Sequence, residues 1–374
     1  MNKLIKIWDW NEFLSSINKP VHKVLGLMSG TSADGLDIAN VVFTYNYEAI
    51  NFRVESALTI PYEEELQKKI VDSYNKSLSN VENITLLNFE LAQIHAQMIN
   101  QLGWDYDFVA YHGQTIYHLP EHGATLQIGE ADVLATQLGK PVIYDFRKKD
   151  VALGGQGAPI SAYLDSVFLL TDQQTAVLNI GGISNVTAYD NNNNLVAFDT
   201  GPGNCLIDLV CQKHFNIRYD NNGKLSAQGR INNELLEYLI EKNTDYIHKK
   251  PPKTTGREVY NEGFLKTPVS TSKEDLLRTV TRFTAEMIAI NLKQHLPNTQ
   301  KLVVVGGGAY NKTLLWDIKT LGYEITVPDK WLIDFREATA IAFLGELFLR
   351  GLAHEKVVTG AMKTSILGKL ALPL

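Results

Sequence analysis

The sequence predicts an α/β protein of two similarly built halves, and three glycine-rich turns that follow apolar runs support this prediction. The first turn is GLMSGTSADGLD, residues 26–37, between the β-rich runs VHKVLGL and IANVVFTY. The second is NIGGISN, residues 179–185, between TAVL and VTAYD, and the third is residues 306–308, directly after LVVV. The first two read as strand, turn and strand. A glycine hairpin at the head of each half indicates a duplication of architecture, although the halves share little sequence.

Apolar spacing predicts the elements between the turns. Helices should include residues 87–102 and 276–290, where apolar residues recur every three or four positions. The run DFVAYH is predicted to be a strand that ends at Gly113 and Gln114, and TLQIGEADVLA a hairpin-like piece. Residues 245–266 contain lysines and prolines and should form an irregular loop.

A glycine hinge divides the predicted halves. The segment LGGQGAPI, residues 153–160, precedes a helix-like stretch, and a last helix over residues 338–348 should return to the first half. Two halves that face a cleft and close on a hinge are typical of a nucleotide clamp. The predicted divisions are a first domain of residues 21–155 plus 340–374, a second domain of residues 156–339, and an N-terminal extension of residues 1–20.

Composition excludes several classes of function. The 374-residue chain is 45% hydrophobic and 20% charged, as expected for a globular protein with a core. Its net charge of −6 and the lack of a basic block argue against nucleic acid as a partner. No signal peptide or membrane span is expected, and the protein is predicted to be cytoplasmic. Cys205 and Cys211 form no CxxC pair and are predicted to be reduced packing residues.

The glycine turns are candidate phosphate sites. Glycines allow backbone N–H groups to approach and surround one anion. None of the three turns matches GxxxxGK[ST] or opens a helix as G-x-G-x-x-G, so a hairpin-based nucleotide site is favoured. Asp34 beside such a turn implies Mg²⁺ between carboxylate and phosphate. The alternatives are a glycine-tipped hairpin without a ligand, and Asp34-Gly35 as a simple turn dipeptide.

Polar residues after predicted strands are candidates for chemistry. Asp199 in FDTGPGN is predicted to end a strand beside an open glycine loop, where it can act as a general base or merely cap a turn. His112 or Gln114 could bind a sugar hydroxyl or acetamido group, with a structural histidine as the alternative. Arg147 could bind a carboxylate or phosphate, or lie in a solvated basic turn. Glu337 either favours a helix N-terminus or points at the cleft.

These motifs together resemble the anhydro-N-acetylmuramic acid kinases. The resemblance runs from about residue 22 to the end and rests on ordered segments: GLMSGTSADGLD, HGQTIYH, LQIGE, DFRKKDVALGGQGAPI, LNIGGISN, FDTGPGN, PKTTGREVYN, VVGGGAYN and VTGAMKTSILG. It implies the fold of the sugar kinase, actin and Hsp70-type ATPase superfamily. That fold has two ribonuclease-H-like domains around an ATP cleft.

The resemblance also implies an activity and a set of site residues. The family opens the 1,6-anhydro ring of anhydro-N-acetylmuramic acid with water and phosphorylates O6, during recycling of peptidoglycan. Asp199 matches the base that activates water, and Glu337 a glutamate that helps bind sugar and water. Lys253, Thr255 and Arg257 lie in a shared loop without an assigned role. Residues predicted to contact ATP are Gly30, Thr31, Ser32, Ala33, Asp34, Gly35, Leu36, Asp37, Gly181, Gly182, Gly307, Gly308 and Asn311. Residues predicted to contact the sugar are His112, Gln114, Arg147, Asn185 and Gly201.

Two other functions remain open from the sequence. One is a kinase of the same fold that phosphorylates an ordinary amino-sugar hydroxyl without needing water. The other is a non-catalytic sensor that closes on a muropeptide sugar when a nucleotide binds. The predicted cofactors are ATP and Mg²⁺, with water as co-substrate and a homodimer as the family expectation. Incorporation of oxygen from labelled water at the anomeric carbon would distinguish the three.

Overall fold

The computed structural model describes residues 10–46, 49–354 and 359–373. The chain divides into two compact units: Met1–Leu164 with Phe335–Leu374, and Asp165–Asp334. The sequence predicted the boundaries between the two domains after residue 155 and before residue 340. Glu337, expected in the second domain, therefore belongs to the first unit. Of the predicted extension, residues 1–9 lie outside the described part, and the next residues form a short helix.

The first unit is a twisted sheet with helices. Its sheet order is β12-β6-β4-β1-β2-β3, with β5 paired to β4. Strands β1, β2 and β3 form an antiparallel meander, and β4 and β6 continue the sheet parallel to β1. The strands are β1 (Val21–Ser29), β2 (Gly35–Tyr45), β3 (Ile50–Pro61), β4 (Phe108–Leu119), β5 (Ala124–Ile128), β6 (Val142–Tyr144) and β12 (Lys369–Ala371). The helices are α1 (Trp10–Ile17), α2 (Glu64–Ser73), α3 (Val81–Asn100), α4 (Ala131–Leu138), α5 (Lys148–Ala152), α6 (Ser161–Phe168, which runs across the division) and α13 (Arg336–Leu349).

The second unit repeats this plan with five strands. Its sheet order is β11-β10-β7-β8-β9. Strands β7, β8 and β9 are antiparallel neighbours, and β10 and β11 continue parallel to β7. The strands are β7 (Thr175–Ile180), β8 (Ile183–Tyr189), β9 (Leu195–Pro202), β10 (Lys301–Val305) and β11 (Glu324–Thr326). The helices are α7 (Cys205–Val210), α8 (Asn233–Glu241), α9 (Thr244–His248), α10 (Lys273–His295), α11 (Lys312–Thr320) and α12 (Lys330–Asp334).

The five strands that the two sheets share lie in the same order, and this confirms the predicted fold class. Numbering the strands within each unit, three antiparallel strands lie in the order 3-2-1 and two parallel strands follow next to strand 1. This is the ribonuclease-H-like arrangement. In both units the glycine-rich turn joins the first two strands. None of the helices in the described ranges combines the length and apolarity that a membrane crossing needs.

Several predicted elements differ from the structure. Strand β4 continues through Gly113 and Gln114 to Leu119, because β5 pairs with this extension as a hairpin. The segment predicted as a second hairpin is instead β5 followed by α4, which an αL glycine at Gly139 ends. Asp199 lies inside β9 and not at its end, since the pairing with β8 continues to Pro202. Residues 245–266 begin within α9 before becoming irregular.

Helix α13 packs on the sheet of the first unit through small residues. Gly26 on β1 faces Ala338 and Ala342, and Gly345 faces Ala110 on β4. A methyl group at Gly26 would lie 2.0 Å from the Ala338 carbonyl oxygen and 2.9 Å from the Ala342 Cβ. The absence of side chains at these positions therefore allows the helix to lie close to the strands, where the core is fully buried.

Gly26→Ala is expected to lower the free energy of unfolding of the first unit by about 3 kcal/mol, because helix and strand must separate to relieve the overlap. Chemical denaturation followed by circular dichroism would measure this loss. Gly307→Ala is the matched control, since its nearest atom would be 3.6 Å away, an ordinary contact. A loss at Gly26 no larger than that at Gly307 would contradict the packing described here.

Candidate active site

The turn between β1 and β2 presents unpaired amides to solvent. The Ala33 amide donates to the Gly30 carbonyl at 3.1 Å, and Ala33 has a φ of 51°. Thr31 and Ser32 are exposed, and their N–H groups donate to no acceptor within the described ranges. Two adjacent open amides at a turn can bind an anion.

The remaining residues of this segment differ in their surroundings. Ala33, Gly35 and Leu36 are buried and belong to the packing of the first unit. Asp34 is exposed and accepts the Ser32 hydroxyl at 2.7 Å. Asp37 lies inside β2 and accepts the Thr59 hydroxyl at 2.6 Å.

The turn is supported by a series of buried hydrogen bonds in which the donor and the acceptor of each bond can be assigned. The Gly30 carbonyl can only accept, so the Gln114 atom 3.0 Å away must be the amide nitrogen Nε2. The Gln114 oxygen Oε1 then faces Ser29, whose hydroxyl must donate to it. Ser29 Oγ therefore accepts from the Tyr62 hydroxyl at 2.8 Å. The orientation of each group follows from the one before it.

The same reasoning assigns the protons of His95. The Tyr62 hydroxyl donates its single hydrogen to Ser29. His95 Nε2–H must therefore donate to the Tyr62 oxygen, at 2.8 Å. His95 Nδ1 then carries no proton and accepts from the Tyr111 hydroxyl at 2.9 Å. Burial lowers the pKa of His95 to about 3, in agreement with a neutral ring.

The amide nitrogen and oxygen of Gln114 already have hydrogen-bond partners within the first unit. Its side chain is fully buried, and Nε2 also donates to the Tyr74 hydroxyl at 2.8 Å. The visible role of Gln114 is structural, because both amide hydrogens are donated and the oxygen accepts from Ser29, and a contact with the sugar stays a prediction. Its visible effect is to fix the carbonyl of Gly30.

His112, inside β4, contacts Arg147, which follows the end of the neighbouring parallel strand β6. Tyr111 on β4 pairs with Tyr144 on β6, so the residues that follow are neighbours. Arg147 Nε donates to His112 Nε2 at 2.9 Å, which requires the proton of His112 on Nδ1, where it donates to the Gly113 carbonyl. Burial, and then the charge of Arg147, lower the pKa of His112 to about 3. His112 is therefore a neutral residue that orients Arg147.

Arg147 keeps part of its guanidinium free. Its Nη1 donates to the Gly157 carbonyl at 2.6 Å, while Nη2 makes no hydrogen bond to the described residues. Burial lowers its pKa to about 10, and the nearby carboxylate of Glu337 opposes this shift. Glu337 itself is exposed in the first turn of α13. Glu337 thus acts on Arg147 through its charge, without an ion pair within 4.0 Å between the two described side chains.

Asp150, which the sequence did not single out, holds the glycine hinge. It is buried, and it accepts the Gly157 amide at 2.6 Å, the Thr359 hydroxyl at 2.5 Å and the Tyr163 hydroxyl at 3.3 Å. Since Gly157 in turn accepts from Arg147, Asp150 positions that arginine indirectly. The sequence feature that could have pointed to Asp150 is the presence of an acidic residue shortly before the segment GGQG.

In the second unit, the turn between β7 and β8 is tied to the segment after β9. The Gly181 carbonyl accepts from the Asn204 amide at 2.8 Å, and the Gly182 carbonyl accepts from Gly203 and Cys205 at 3.0 Å each. Only glycine fits at 203, since a methyl group there would lie 2.3 Å from the Gly181 oxygen. The Gly182 amide donates to none of the described residues, so this turn also offers an open N–H group. Cys205 and Cys211 are free and buried, as predicted.

The third glycine cluster combines an open and a buried part. Gly307 is exposed, and its amide has no acceptor in the described chain. Gly308 is buried against Ile180 on β7. Asn311 is buried and caps α11, because its Oδ1 accepts the Leu314 amide at 3.0 Å. The contacts of Gly308 and Asn311 are therefore structural, and Gly307 is the residue of this cluster open to a ligand.

Asp199 is fixed by three hydrogen bonds, one from α9 and two from the loop that follows this helix. Its amide donates to the Lys253 carbonyl at 3.0 Å, and its carbonyl accepts the Tyr246 hydroxyl at 2.6 Å. Its carboxylate oxygen Oδ2 accepts the Thr255 amide at 2.9 Å. The other oxygen, Oδ1, has no partner among the described residues. Burial raises the pKa of Asp199 and outweighs the opposing bond from Thr255.

Lys253 anchors this loop from inside the unit. Its side chain is 2% exposed, and Nζ donates to the carbonyls of Tyr246 and Ile247 at 3.0 and 3.2 Å and to His295 Nε2 at 3.2 Å. No carboxylate of the described residues pairs with it. Burial therefore lowers the pKa of Lys253 to about 8. The lysine connects the two segments that hydrogen-bond to Asp199.

The buried Lys253 should make the free energy of unfolding depend on pH. Between pH 8 and pH 10 the unfolded chain keeps the lysine proton and the folded chain loses it, so stability rises with pH in this window. Relative to Lys253→Met, the wild type should gain on the order of 1–2 kcal/mol of unfolding free energy from pH 8 to pH 10. Denaturant titrations at several pH values measure this gain. The exposed Lys250→Met is the control, and identical pH profiles for all three proteins would contradict the argument.

The other predicted sugar residues lie on or beside the same strand. Asn185 on β8 is paired with Asp199 on β9, next to a register shift, and is partly exposed. Gly201 is buried and faces Met287 and Tyr260 of the same unit. A sugar contact at Asn185 stays a prediction, whereas the visible contacts of Gly201 are packing.

Comparison with known proteins shows the family to which the chain belongs. The family model described as anhydro-N-acetylmuramic acid kinase matches residues 22–373. The chain belongs to the anhydro-N-acetylmuramic acid kinase family. Curated members similar to it come from Caldanaerobacter subterraneus subsp. tengcongensis (35% identical, all of both chains) and Clostridioides difficile (37%, 92% of this chain and 97% of the relative).

Membership in this family makes the protein a phosphotransferase with an alcohol group as acceptor. Its substrate class is a small sugar, and ATP use fits a kinase of this family. Among solved structures, gluconate kinase from Lactobacillus acidophilus is similar with a TM-score of 0.49 and 9% identity, over 95% of this chain and 94% of that one.

Proposed function

We propose that the protein is an ATP-dependent kinase that opens the 1,6-anhydro ring of anhydro-N-acetylmuramic acid with water and phosphorylates O6. The observation that carries this proposal is the state of the Asp199 carboxylate. One oxygen is fixed by a backbone amide and the other is free, and burial raises the pKa of the group. An oriented carboxylate of increased basicity is suited to accept a proton from water.

The proposed reaction conserves atoms and charge in a single displacement. Asp199 Oδ1 accepts one proton of a water molecule, and the water oxygen bonds to the anomeric carbon C1. The bond from C1 to O6 breaks, and O6 takes the γ-phosphoryl group as ADP leaves. The second water proton remains on the new anomeric hydroxyl, and Asp199 releases its proton to solvent. The product is N-acetylmuramic acid 6-phosphate.

The open amides support binding of the nucleotide phosphates. Those of Thr31 and Ser32 in the first unit, and of Gly182 and Gly307 in the second, are candidates for phosphate oxygens. Asp34 would hold Mg²⁺, since its carboxylate is exposed and bonded only to a hydroxyl. A bound Mg²⁺ would neutralise charge on the phosphates. The described residues contain no group of three or more His, Cys, Asp or Glu that could hold a metal.

The remaining residues would bind and orient the sugar. The free Nη2 of Arg147 is directed by the bonds from its Nε and Nη1, so it can donate to one sugar oxygen. The exposed Glu337 carboxylate near it can accept a sugar hydroxyl or the attacking water. In the second unit, Asn185 lies opposite Asp199 and is a candidate for a sugar contact there.

The test is an ADP-release assay with ATP, Mg²⁺ and anhydro-N-acetylmuramic acid in H₂¹⁸O, with products followed by mass spectrometry. We expect sugar-dependent ADP and a product heavier by one phosphate and one water, with ¹⁸O at the anomeric carbon. The free anomeric hydroxyl of the product exchanges oxygen with water. The reaction is therefore quenched early, and the measured ¹⁸O content is corrected for this exchange. Phosphorylation without ring-opening incorporation would favour an ordinary amino-sugar kinase. ATP binding without any product would favour a sensor.

A further inference from the structure

The second unit contains a polar cleft beside the loop that fixes Asp199. The cleft has a volume of about 430 Å³ and lies between the region of α7 and the segment after Arg257. Its charged lining residues are Asp208, Arg218, Arg257 and Glu262. We call it the arginine cleft, after Arg218 and Arg257. The glycine turns and the role proposed for Asp199 make no use of it.

The two arginines have unused hydrogen-bonding capacity. Neither guanidinium makes a hydrogen bond, or an ion pair within 4.0 Å, to any residue in the described ranges. Both nevertheless act on Asp208, where burial raises the pKa to about 6 and the charges of Arg257 and then Arg218 oppose the shift. Two guanidinium groups thus lie near one half-buried carboxyl without being neutralised by it.

The balance of charge in the arginine cleft favours an anion. Glu262 is already paired with Lys213, so it does not neutralise the arginines. Among the described acidic residues that line the cleft, Asp208 is then the one left opposite Arg218 and Arg257. The chain as a whole carries a net charge of −6, so a local positive site is needed wherever an anionic ligand binds. Guanidinium groups bind carboxylates through paired hydrogen bonds.

The arginine cleft is joined to Asp199 by short connections. Arg257 lies two residues after Thr255, whose amide donates to Asp199. Tyr260 lines the cleft, and its pKa is raised to about 12 chiefly by burial, with the charge of Asp199 as a smaller contribution in the same direction. The guanidinium of Arg257 also lies over Gly182, where a methyl group would be 2.9 Å from Nη2. A ligand with its reacting carbon at Asp199 could therefore extend into the cleft.

We propose that the arginine cleft binds the carboxylate of the acceptor sugar, the lactyl acid of anhydro-N-acetylmuramic acid, through Arg218 and Arg257. This inference rests on the proposed function, which supplies a sugar with one carboxylate. The cleft thereby distinguishes muramic acids from amino sugars that lack the acid. The oxyanion chemistry would equally suit a nucleotide phosphate, and the experiment separates the two sources.

The test compares the sugar acid with its lactamide, a neutral analogue of nearly the same shape. For Arg218→Gln and Arg257→Gln, KM for the acid should rise about tenfold or more, as expected when a charge-assisted hydrogen bond is lost. KM for the lactamide should change less than about twofold, and KM for ATP should not change. Arg230→Gln, an exposed arginine elsewhere in the second unit, is the matched control and should leave all three values unchanged.

Three results would overturn the inference while leaving the proposed function intact. The first is an unchanged KM for the acid in both variants. The second is an equal loss for acid and lactamide, which would indicate a general effect on the sugar site. The third is a rise in KM for ATP in place of the sugar, which would assign the cleft to a phosphate. Absence of sugar-dependent turnover in the wild type would overturn the proposed function and this inference together.

Discussion

Asp199→Asn is expected to lower kcat by about 10²- to 10⁴-fold, the range in which general bases contribute. Asparagine has the same shape, and its side-chain oxygen can still accept from the Thr255 amide. It cannot take a proton from water. Binding of ATP and of the sugar should therefore persist while turnover is lost. Kinetics together with calorimetric binding of both ligands would measure these two effects separately.

The pH dependence gives a second sign of the same base. Burial raises the pKa of Asp199, and the base must be ionised to act, so kcat/KM of the wild type should fall as pH drops through this pKa. The residual activity of Asp199→Asn should lack that acidic limb. Asp132→Asn, an exposed residue in α4, makes the same change of charge and should behave like the wild type. A variant at 199 that kept more than a tenth of kcat would remove Asp199 from the role of base.

Glu346→Ala is expected to lower the free energy of unfolding of the first unit by about 3–5 kcal/mol. Glu346 is fully buried in α13, where Oε2 lies 2.8 Å from His22 Nδ1 and Oε1 accepts from Arg350 Nε at 2.5 Å. Arg350 is only 6% exposed and also donates to the Lys19 carbonyl. Removing the carboxylate leaves a buried guanidinium without its counter-ion. Thermal and urea unfolding would measure the loss.

A surface glutamate provides the comparison. Glu90 pairs with Lys69 at 2.8 Å, but both side chains are more than a third exposed. Glu90→Ala should therefore cost no more than about 1 kcal/mol. The double variant Glu346→Leu with Arg350→Met should recover part of the loss, because it removes both buried charges. Equal losses at 346 and 90 would show that the buried carboxylate contributes no more than an exposed one.

The glycine hairpins and the two long helices of the units follow from signals that the sequence carries locally. Glycine turns and alternating apolar residues mark β1, β2, β7 and β8, and the spacing of apolar residues marks α3 and α10. The residues at which strands and helices end could be predicted less well from the sequence. Asp199 was expected at a strand end because glycines follow it, yet β8 continues to pair with those glycines. Pairing between strands is a property of the partner and cannot be read from one segment.

The candidate site residues also fall into two groups, those that the sequence marks locally and those that only the fold reveals. Asp199, His112 and Arg147 could be found because polar residues after apolar runs stand out, and the structure shows the contacts that orient each. Lys253 and Asp150 were missed as contributors, since their importance depends on which carbonyls and amides come near them in the fold. Gln114 was assigned to the sugar because its type suits a ligand. Only the distances to Gly30, Ser29 and Tyr74 reveal that its hydrogen-bonding groups are occupied.

The one-way order of hydrogen bonds beneath the first glycine turn limits how this part of the protein can evolve. Each of Tyr111, His95, Tyr62, Ser29 and Gln114 gives a hydrogen to the next, and Gln114 gives one to Gly30. A substitution that only accepts, or only donates, would leave one of its two neighbours without a suitable hydrogen-bond partner. Single changes at these positions should therefore be rare among relatives, and when one position changes, the adjoining positions should change with it.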